Sequence, residues 1–591
     1  MIDSIPLPLQ PLLDEIEVCP RTTLVQGWFR DNKCRWVLGF NACLSVSPSP
    51  FMPAESSWFL VVEDEPTRPK ITIFPAADGG ITCTFPHQSA NLPGPAGSLW
   101  RLGNPCIERP EAAFKRDAVT GEPTDLAERL IWRVGRLLSW IDAAATEKLL
   151  EPGDHIELPS FDAALGTVLG FTETLDDLSN WSPQIGNWGY AVTGAISCAF
   201  RHRQVVRYLT ASGNVFKEDG VDDGGADLPV DAVWVMLPRM PTIAPWQPPM
   251  TWRELSACLE SDGVSLEEIF LQAGRQMRTL KRSSPSRLLL GFPLAQKVAY
   301  QPERIHWIAA ENIGLSGATA KRNGFRPIEN NRARWDATRA TSMDRIKWIK
   351  TANWASDQLR TRGEAQDVVR SSRVLIVGAG AVGSAVAENL ARLGVREFGV
   401  VDGDLMEIGN LSRHTLGMSD CGHSKAKAVA ARLGNCAPDV SATPYLSAFP
   451  TSDIRIAEAL RKYNVVIDCT GSDAVLQAMA EFDWQTEKLF VSLSIGWGAK
   501  EFFCFSVSEA AFPAVDALDR FASNMTFKPH MEAANREGIG CWHPVFPASA
   551  DDIQLWGAIG SKYVRTAIVD RRRQCKIYRL MADATVTVID A

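Results

Sequence analysis

An apolar run that ends in three spaced glycines constrains this chain more than any other feature. Residues 373–383 read RVLIVGAGAVG. The unbroken apolar stretch Val374–Val377 predicts a strand buried on both faces of a parallel sheet. Gly378, Gly380 and Gly383 follow it as GxGxxG. The first permits a tight turn, the second lets a phosphate approach the backbone, and the third lets the next helix pack close to the strand. The pattern predicts a helix from about Ala381 to Arg392 whose free N–H groups face an anion. A second apolar run, Phe398–Val401, ends in Asp402, 19 residues past Gly383. A carboxylate at that place bonds a ribose hydroxyl. Together these elements predict an α/β fold with a Rossmann-like nucleotide site.

The residues beyond Asp402 narrow the chemistry. Asp402-x-Asp404 is followed by Asn410-Leu411-x-Arg413 and then by Gly422-x-x-Lys425. Two cations past the ribose acid have no evident use in hydride transfer. They suit a reaction that expels pyrophosphate, because both neutralise the developing phosphate charge. The plain structural alternative is an ordinary Rossmann helix with solvated Arg and Lys. On these motifs the last third of the chain resembles the adenylation domain of the ThiF family and of ubiquitin-activating enzymes. The resemblance implies ATP and Mg²⁺ as the bound species. Asp402 and Asp404 then lie at the nucleotide, Asn410 and Arg413 face the triphosphate, and Lys425 contacts the phosphates. One departure stands in the next strand, Val465–Thr470. The family carries an Asp directly after that Thr, where it helps hold magnesium, and here Gly471 stands instead. A hard cation takes oxygen ligands, so Asp473 or Asp468 is the substitute carboxylate. Asp473 is preferred, because Asp468 also reads as a strand-end residue bonded to local backbone.

The chain has 591 residues, which predicts three or four domains. Its net charge of −8 argues against general binding to nucleic-acid backbones. No apolar run is long enough for a membrane span, and the first residues lack the pattern of a secretory signal. The 13 cysteines include no C-x-x-C pair, which fits free thiols in a reducing cytoplasm. The same lack removes the paired-cysteine zinc site of many ThiF relatives, so no structural zinc is expected.

Residues 1–155 read as an α+β unit. Strands are predicted around Trp28–Phe29, Arg35–Phe40, Trp58–Val62 and Ile71–Phe74. A helix follows Pro123 with Asp125 as its N-cap, and Leu130, Val134, Leu137, Leu138 and Ile141 share one face. Glu151-Pro152-Gly153-Asp154 marks a boundary. Residues 156–365 carry predicted strands at Val233–Leu237 and Leu288–Leu290 but no phosphate loop or catalytic cluster. By position and resemblance they correspond to an inactive adenylation-like half. Residues 366–591 form the active adenylation domain.

Two cysteines are candidate nucleophiles. Cys541 stands in Gly538-Ile539-Gly540-Cys541-Trp542-His543-Pro544, and His543 and Arg536 would favour its thiolate. The segment resembles the catalytic-cysteine loop of bacterial ubiquitin-activating-like enzymes. The alternative is a small core residue, the commoner fate of a free Cys. Cys504 and Cys469 read as core, and Cys421 reads either way. Cys106 follows Phe85-Pro86-His87 and a long loop. That arrangement resembles a divergent bacterial ubiquitin-conjugating enzyme. The usual His-Pro-Asn is absent, so the group that stabilises the oxyanion is Asn104 or His87. Cys106 could instead be a loop thiol without a role. Cys83 alternates with apolar neighbours in Ile81–Phe85 and reads as a strand residue.

The order of parts resembles the conjugating–activating fusion of bacterial anti-phage islands, as in type II CBASS. The resemblance implies ATP-dependent adenylation of a partner's C-terminus, a thioester on Cys541, transfer to Cys106 and ligation to a lysine. The partner is then a cGAS-like nucleotidyltransferase or a ubiquitin-like protein. A homodimer is implied as well, with Arg360 or Arg362 reaching the triphosphate. The rival readings are a sulfur-carrier adenylyltransferase of thiamin or molybdopterin type, a nucleotide-binding scaffold, and an NAD(P) oxidoreductase.

Overall fold

The structure, a computed structural model, describes residues 5–65, 68–107, 121–161, 164–196, 202–218, 228–280, 285–316, 328–361, 363, 365–526 and 548–591. The chain divides into two compact units, the first ending at Asn353 and the second beginning at Trp354.

The first unit opens with a four-stranded antiparallel meander. Thr22–Arg30, Trp36–Cys43, Glu55–Glu63 and Lys70–Pro75 pair in sequence order. Helix Leu126–Ala145 packs against it. The Asp125 carboxylate accepts the Glu128 N–H at 3.1 Å, so the predicted cap is in place. Leu130, Val134, Leu137, Leu138 and Ile141 are buried as their spacing requires. Trp140 of the same helix meets Trp58 and Phe85 edge-on. This core gathers residues from Leu9 to Leu149 and takes none from the segment that follows.

That segment builds an eight-stranded mixed sheet. Its order is Ala164–Phe171, Lys347–Asn353, Arg304–Glu311, Arg287–Leu294, Ala232–Met236, Trp188–Ala195, Arg203–Thr210 and Val215–Glu218. Leu169 and Gly170 of the first strand also pair with the seventh strand, so the sheet curls back on itself. One face buries Trp181, Tyr208, Trp234 and Trp307. The other packs against helices Trp252–Glu260 and Leu266–Thr279. Within residues 156–365 this sheet combines parallel and antiparallel pairs.

The second unit starts a dozen residues before the expected boundary at 365. The reason lies in its packing: Ala365 and Val369 are buried in the C-terminal core, and Arg360 is held there by Asp439. Its sheet runs in the order Ser441–Tyr445, Glu397–Val401, Arg373–Val377, Val465–Asp468, Lys488–Ile495, Glu501–Glu509, Gln574–Leu580 and Val586–Asp590. The first five strands are parallel and the last three add antiparallel. Apolar cores cover both faces, which is why the parallel strands read as unbroken apolar runs. Helix Ala381–Leu393 follows the first parallel strand and ends at Gly394 with a left-handed φ of 114°. No helix among the described residues is long and apolar enough to cross a membrane.

Candidate active site

Strand Arg373–Val377 comes first in the sequence of its sheet yet lies between Glu397–Val401 and Val465–Asp468. The chain therefore leaves this strand to one side and later returns on the other. Ligands of open parallel sheets bind at such a switch point, beyond the carboxyl ends of the strands. Every expected nucleotide contact sits at that edge or in the loops that follow it.

The glycine turn is built by close approach. Gly378 has φ 90°, and a Cβ there would stand 2.8 Å from Thr470 Cγ2 on the neighbouring strand's exit. A Cβ on Gly383 would stand 2.0 Å from the Gly378 carbonyl oxygen, so helix and turn touch at that point. Gly380 differs: nothing lies within 4 Å of its would-be Cβ. It caps helix Ala381–Leu393, whose first N–H groups have no acceptor within the helix.

Asp402 joins the turn to the next loop. Its Oδ2 accepts the Ala379 N–H at 2.8 Å and its Oδ1 accepts the Asp404 N–H at 2.8 Å. Each oxygen keeps a second lone pair for a ribose hydroxyl. Asp404 receives the Lys425 ammonium at 3.0 Å, and its carbonyl accepts the Lys425 N–H at 3.0 Å. Lys425 is the first residue of helix Lys425–Gly434, capped by Ser424. Asn410 accepts the Glu407 N–H at 3.1 Å inside the 3-10 turn Ile408–Ser412. Arg413 follows that turn, its N–H donated to the Asn410 carbonyl at 3.1 Å. The glycine turn at Ala379, Asp402, Asp404 and Lys425 thus form one bonded chain. His414, which sequence reasoning did not single out, ties the Arg413 loop to it through the Ala379 carbonyl at 2.8 Å.

The two magnesium candidates separate on burial. Asp468 is buried, its Oδ1 accepting the Thr470 N–H and hydroxyl and its Oδ2 accepting the Ser492 hydroxyl. Burial raises its carboxyl pKa, which opposes the ionised form a cation needs. The bonds to Thr470 also end the strand at Asp468, two residues before the expected end. Asp473 is exposed at the first turn of helix Asp473–Glu481. It fits Mg²⁺ better, because that ion is commonly held by one or two carboxylates together with substrate phosphates. Among the described residues no cluster of His, Cys, Asp or Glu forms a ready-made metal site.

The thiols divide similarly. Cys541, with His543 and Arg536, lies outside the described residues, as does Arg362. Cys106 is exposed, and its N–H donates to the His87 carbonyl at 2.7 Å. His87 has φ 54° and its Nδ1 stands 2.8 Å from Glu157 Oε2. Asn104 is half-buried two residues before Cys106, its carbonyl accepting the Ser89 N–H. Two buried amides hold this loop. Gln88 accepts the Phe85 N–H and donates to the Gly103 carbonyl. Asn91 donates to the Ile81 and Cys83 carbonyls and accepts from Arg101. Cys83 lies outside any strand, because residues 81–85 give their carbonyls and N–H groups to these amides rather than to a sheet. Cys469 follows a strand end and Cys504 is buried within a strand; burial pushes both thiols well above their usual range. Cys421 is half-buried against the C-terminal core. Arg360 makes a two-pronged ion pair with Asp439 at 2.7 and 2.8 Å, so it serves its own fold rather than a triphosphate.

The Cap2 central linker domain matches residues 147–354 and the ThiF family matches residues 355–497. The chain is similar to the ATP-dependent ubiquitin transferase-like protein Cap2 of Enterobacter hormaechei subsp. hoffmannii (strain UCI 50). The two are 44% identical over 591 residues, spanning 99% of this chain and 98% of that protein. It is also similar to the molybdopterin-synthase adenylyltransferase of Escherichia coli (strain K12), 34% identical over 114 residues, 19% of this chain and 45% of that protein. A solved structure of E. coli MccB with AMPCPP and MccA aligns with 38% of this chain and 64% of that one, at 14% identity and a TM-score of 0.28. The thiol-bearing loop, the central segment and the ThiF-type nucleotide turn all fall within the full-length match, and the chain belongs to the Cap2 family of ATP-dependent ubiquitin transferase-like enzymes.

Proposed function

We propose that this enzyme adenylates the C-terminus of a partner protein and passes it through two thiols to a target lysine. The partner is a cGAS-like nucleotidyltransferase in anti-phage defence, with a bacterial ubiquitin-like protein as the alternative. The enzyme works in the cytoplasm as a homodimer. The observation that carries the reading is the bonded chain of Ala379, Asp402, Asp404 and Lys425 at the strand switch point, in the same polypeptide as the exposed Cys106.

ATP binds with its phosphates at Gly380 and the helix N-terminus and its ribose at Asp402. The partner's terminal carboxylate attacks the α-phosphorus, and the bond to the bridging oxygen breaks. Arg413 and Lys425 neutralise the departing pyrophosphate. Mg²⁺, held by Asp473 together with the phosphates, would add charge neutralisation at the same oxygens. The Cys541 thiolate then attacks the acyl carbon and AMP leaves. The Cys106 thiolate takes the acyl group from Cys541, and a lysine amine finally displaces Cys106 to form an amide. Splitting the transfer in this way replaces one hard step by easier ones. At Cys106 the backbone bond to His87 supports that residue as the oxyanion's neighbour, with Asn104 as the second candidate. A sulfur-carrier adenylyltransferase would leave the N-terminal domain and Cys106 without a role.

Exchange of labelled pyrophosphate into ATP tests the adenylation step. The full chain with Mg²⁺ and a cGAS-like nucleotidyltransferase should exchange label, and deleting the last few residues of that partner should abolish it. Absence of exchange with both partner classes would leave a nucleotide-binding scaffold, and preferential binding of NAD(P) would restore the oxidoreductase reading.

A further inference from the structure

His414 follows Arg413 directly, and its ring bridges two backbone segments. Nε2 stands 2.8 Å from the Ala379 carbonyl oxygen, and Nδ1 stands 3.2 Å from the Leu416 backbone nitrogen. A backbone N–H can only donate, so Nδ1 is the acceptor and carries no proton. A carbonyl can only accept, so Nε2 carries the hydrogen and donates it to Ala379. Both bonds therefore require the neutral ring in one tautomer. The Ala379 peptide is gripped from two sides: Asp402 accepts its N–H at 2.8 Å and His414 binds its carbonyl. Leu416, which supplies the other bond, is buried in the C-terminal core.

We propose that His414 is a positioning residue for nucleotide binding: it fastens the Asn410–Arg413 loop onto the glycine-rich turn, so that the loop cation and the turn's N–H groups address one triphosphate. This inference rests on the adenylation reading of the site. Burial lowers the ring's pKa below its usual 6.5, and the Lys425 and Arg432 cations push the same way. The Ala379 carbonyl and the Asp402 carboxylate oppose them. The folded-state pKa thus lies below the unfolded one, so the neutral ring's contribution is complete above the unfolded value. It is lost as pH falls through the folded value. Protonation would set an Nδ1–H against the Leu416 N–H and open the clip.

Calorimetric titration of the full chain with Mg²⁺–ATP tests this without any partner. Replacing the ring by His414→Ala should weaken ATP binding about five- to tenfold, the worth of a net hydrogen bond or two. His414→Gln places an amide donor near the Nε2 position and should restore affinity to within about threefold. Because His414 acts through Arg413, Arg413→Ala with His414→Ala should bind no more than about twofold more weakly than Arg413→Ala alone. Wild-type affinity should fall on the acid side of neutrality, and His414→Gln should not share that step. Wild-type affinity in His414→Ala, no rescue by Gln, or losses that simply multiply would overturn the inference. A wild type that does not bind ATP would instead overturn the adenylation reading, and this inference with it.

Discussion

Gly383→Ala and Gly380→Ala should fail in different ways although they lie three residues apart. The Cβ added at Gly383 meets the Gly378 carbonyl oxygen at 2.0 Å and Cys469 Cβ at 3.2 Å. Neither atom can swing aside, because one is backbone and the other is packed beside the central strand. Overpacking of this kind costs about 1–3 kcal/mol. For a domain of this size each kcal/mol lowers the melting temperature by about 2–4 °C. The helix must also move off the turn, so ATP binding should be lost together with stability. At Gly380 the added Cβ meets nothing within 4 Å, and φ there is −72°, which any residue adopts. Stability should change by no more than about 0.5 kcal/mol. The methyl group occupies the space left for a phosphate, so ATP affinity should fall by about tenfold or more, 1.4 kcal/mol per decade. Thermal denaturation beside ATP titration separates the two. Equal melting temperatures for the two variants would contradict the assigned contacts.

Asp402→Asn should carry the second large effect. Two backbone N–H groups, from Ala379 and Asp404, point at the two carboxylate oxygens. An amide offers one oxygen, so one N–H would face an NH₂ group. A donor left without an acceptor costs about 1–3 kcal/mol. The glycine turn or the Asp404 loop must shift in response, and the Lys425 ion pair to Asp404 shifts with it. ATP affinity should therefore drop further than the loss of one ribose bond explains, by about 100-fold. Asp404→Asn leaves the Asp402 bonds intact and should cost much less. ATP titration of the two variants decides the point, and equal losses would show that Asp402 is not the hinge between turn and loop.

The turn was legible in sequence because its causes are local. An apolar run, glycines at fixed offsets and an acid at the next strand end are all read within thirty residues. The N-terminal strands and the Asp125-capped helix were legible for the same reason. What was not legible depends on contacts between distant segments. His414 matters only because Ala379 and Leu416 lie on either side of its ring. Gln88 and Asn91 matter because they collect backbone groups from residues 81–103, and they deny Cys83 its expected strand. The full burial of Asp468 depends on Ser492, from a strand that pairs beside it. The curling of the middle sheet rests on pairing between residues more than thirty positions apart, which no periodicity encodes. The unit boundary moved because the Arg360–Asp439 ion pair and the buried Val369 bind residues 354–370 to the C-terminal fold.

The most direct test of the two-thiol relay is intact-protein mass spectrometry without reductant. Wild type, Cys541→Ala and Cys106→Ala would each be incubated with ATP, Mg²⁺ and a cGAS-like nucleotidyltransferase. The account predicts a thiol-sensitive partner adduct on the wild type, none on Cys541→Ala, and an adduct confined to Cys541 on Cys106→Ala. Formation of AMP with no adduct dependent on either cysteine would contradict it and leave a carrier adenylyltransferase in its place.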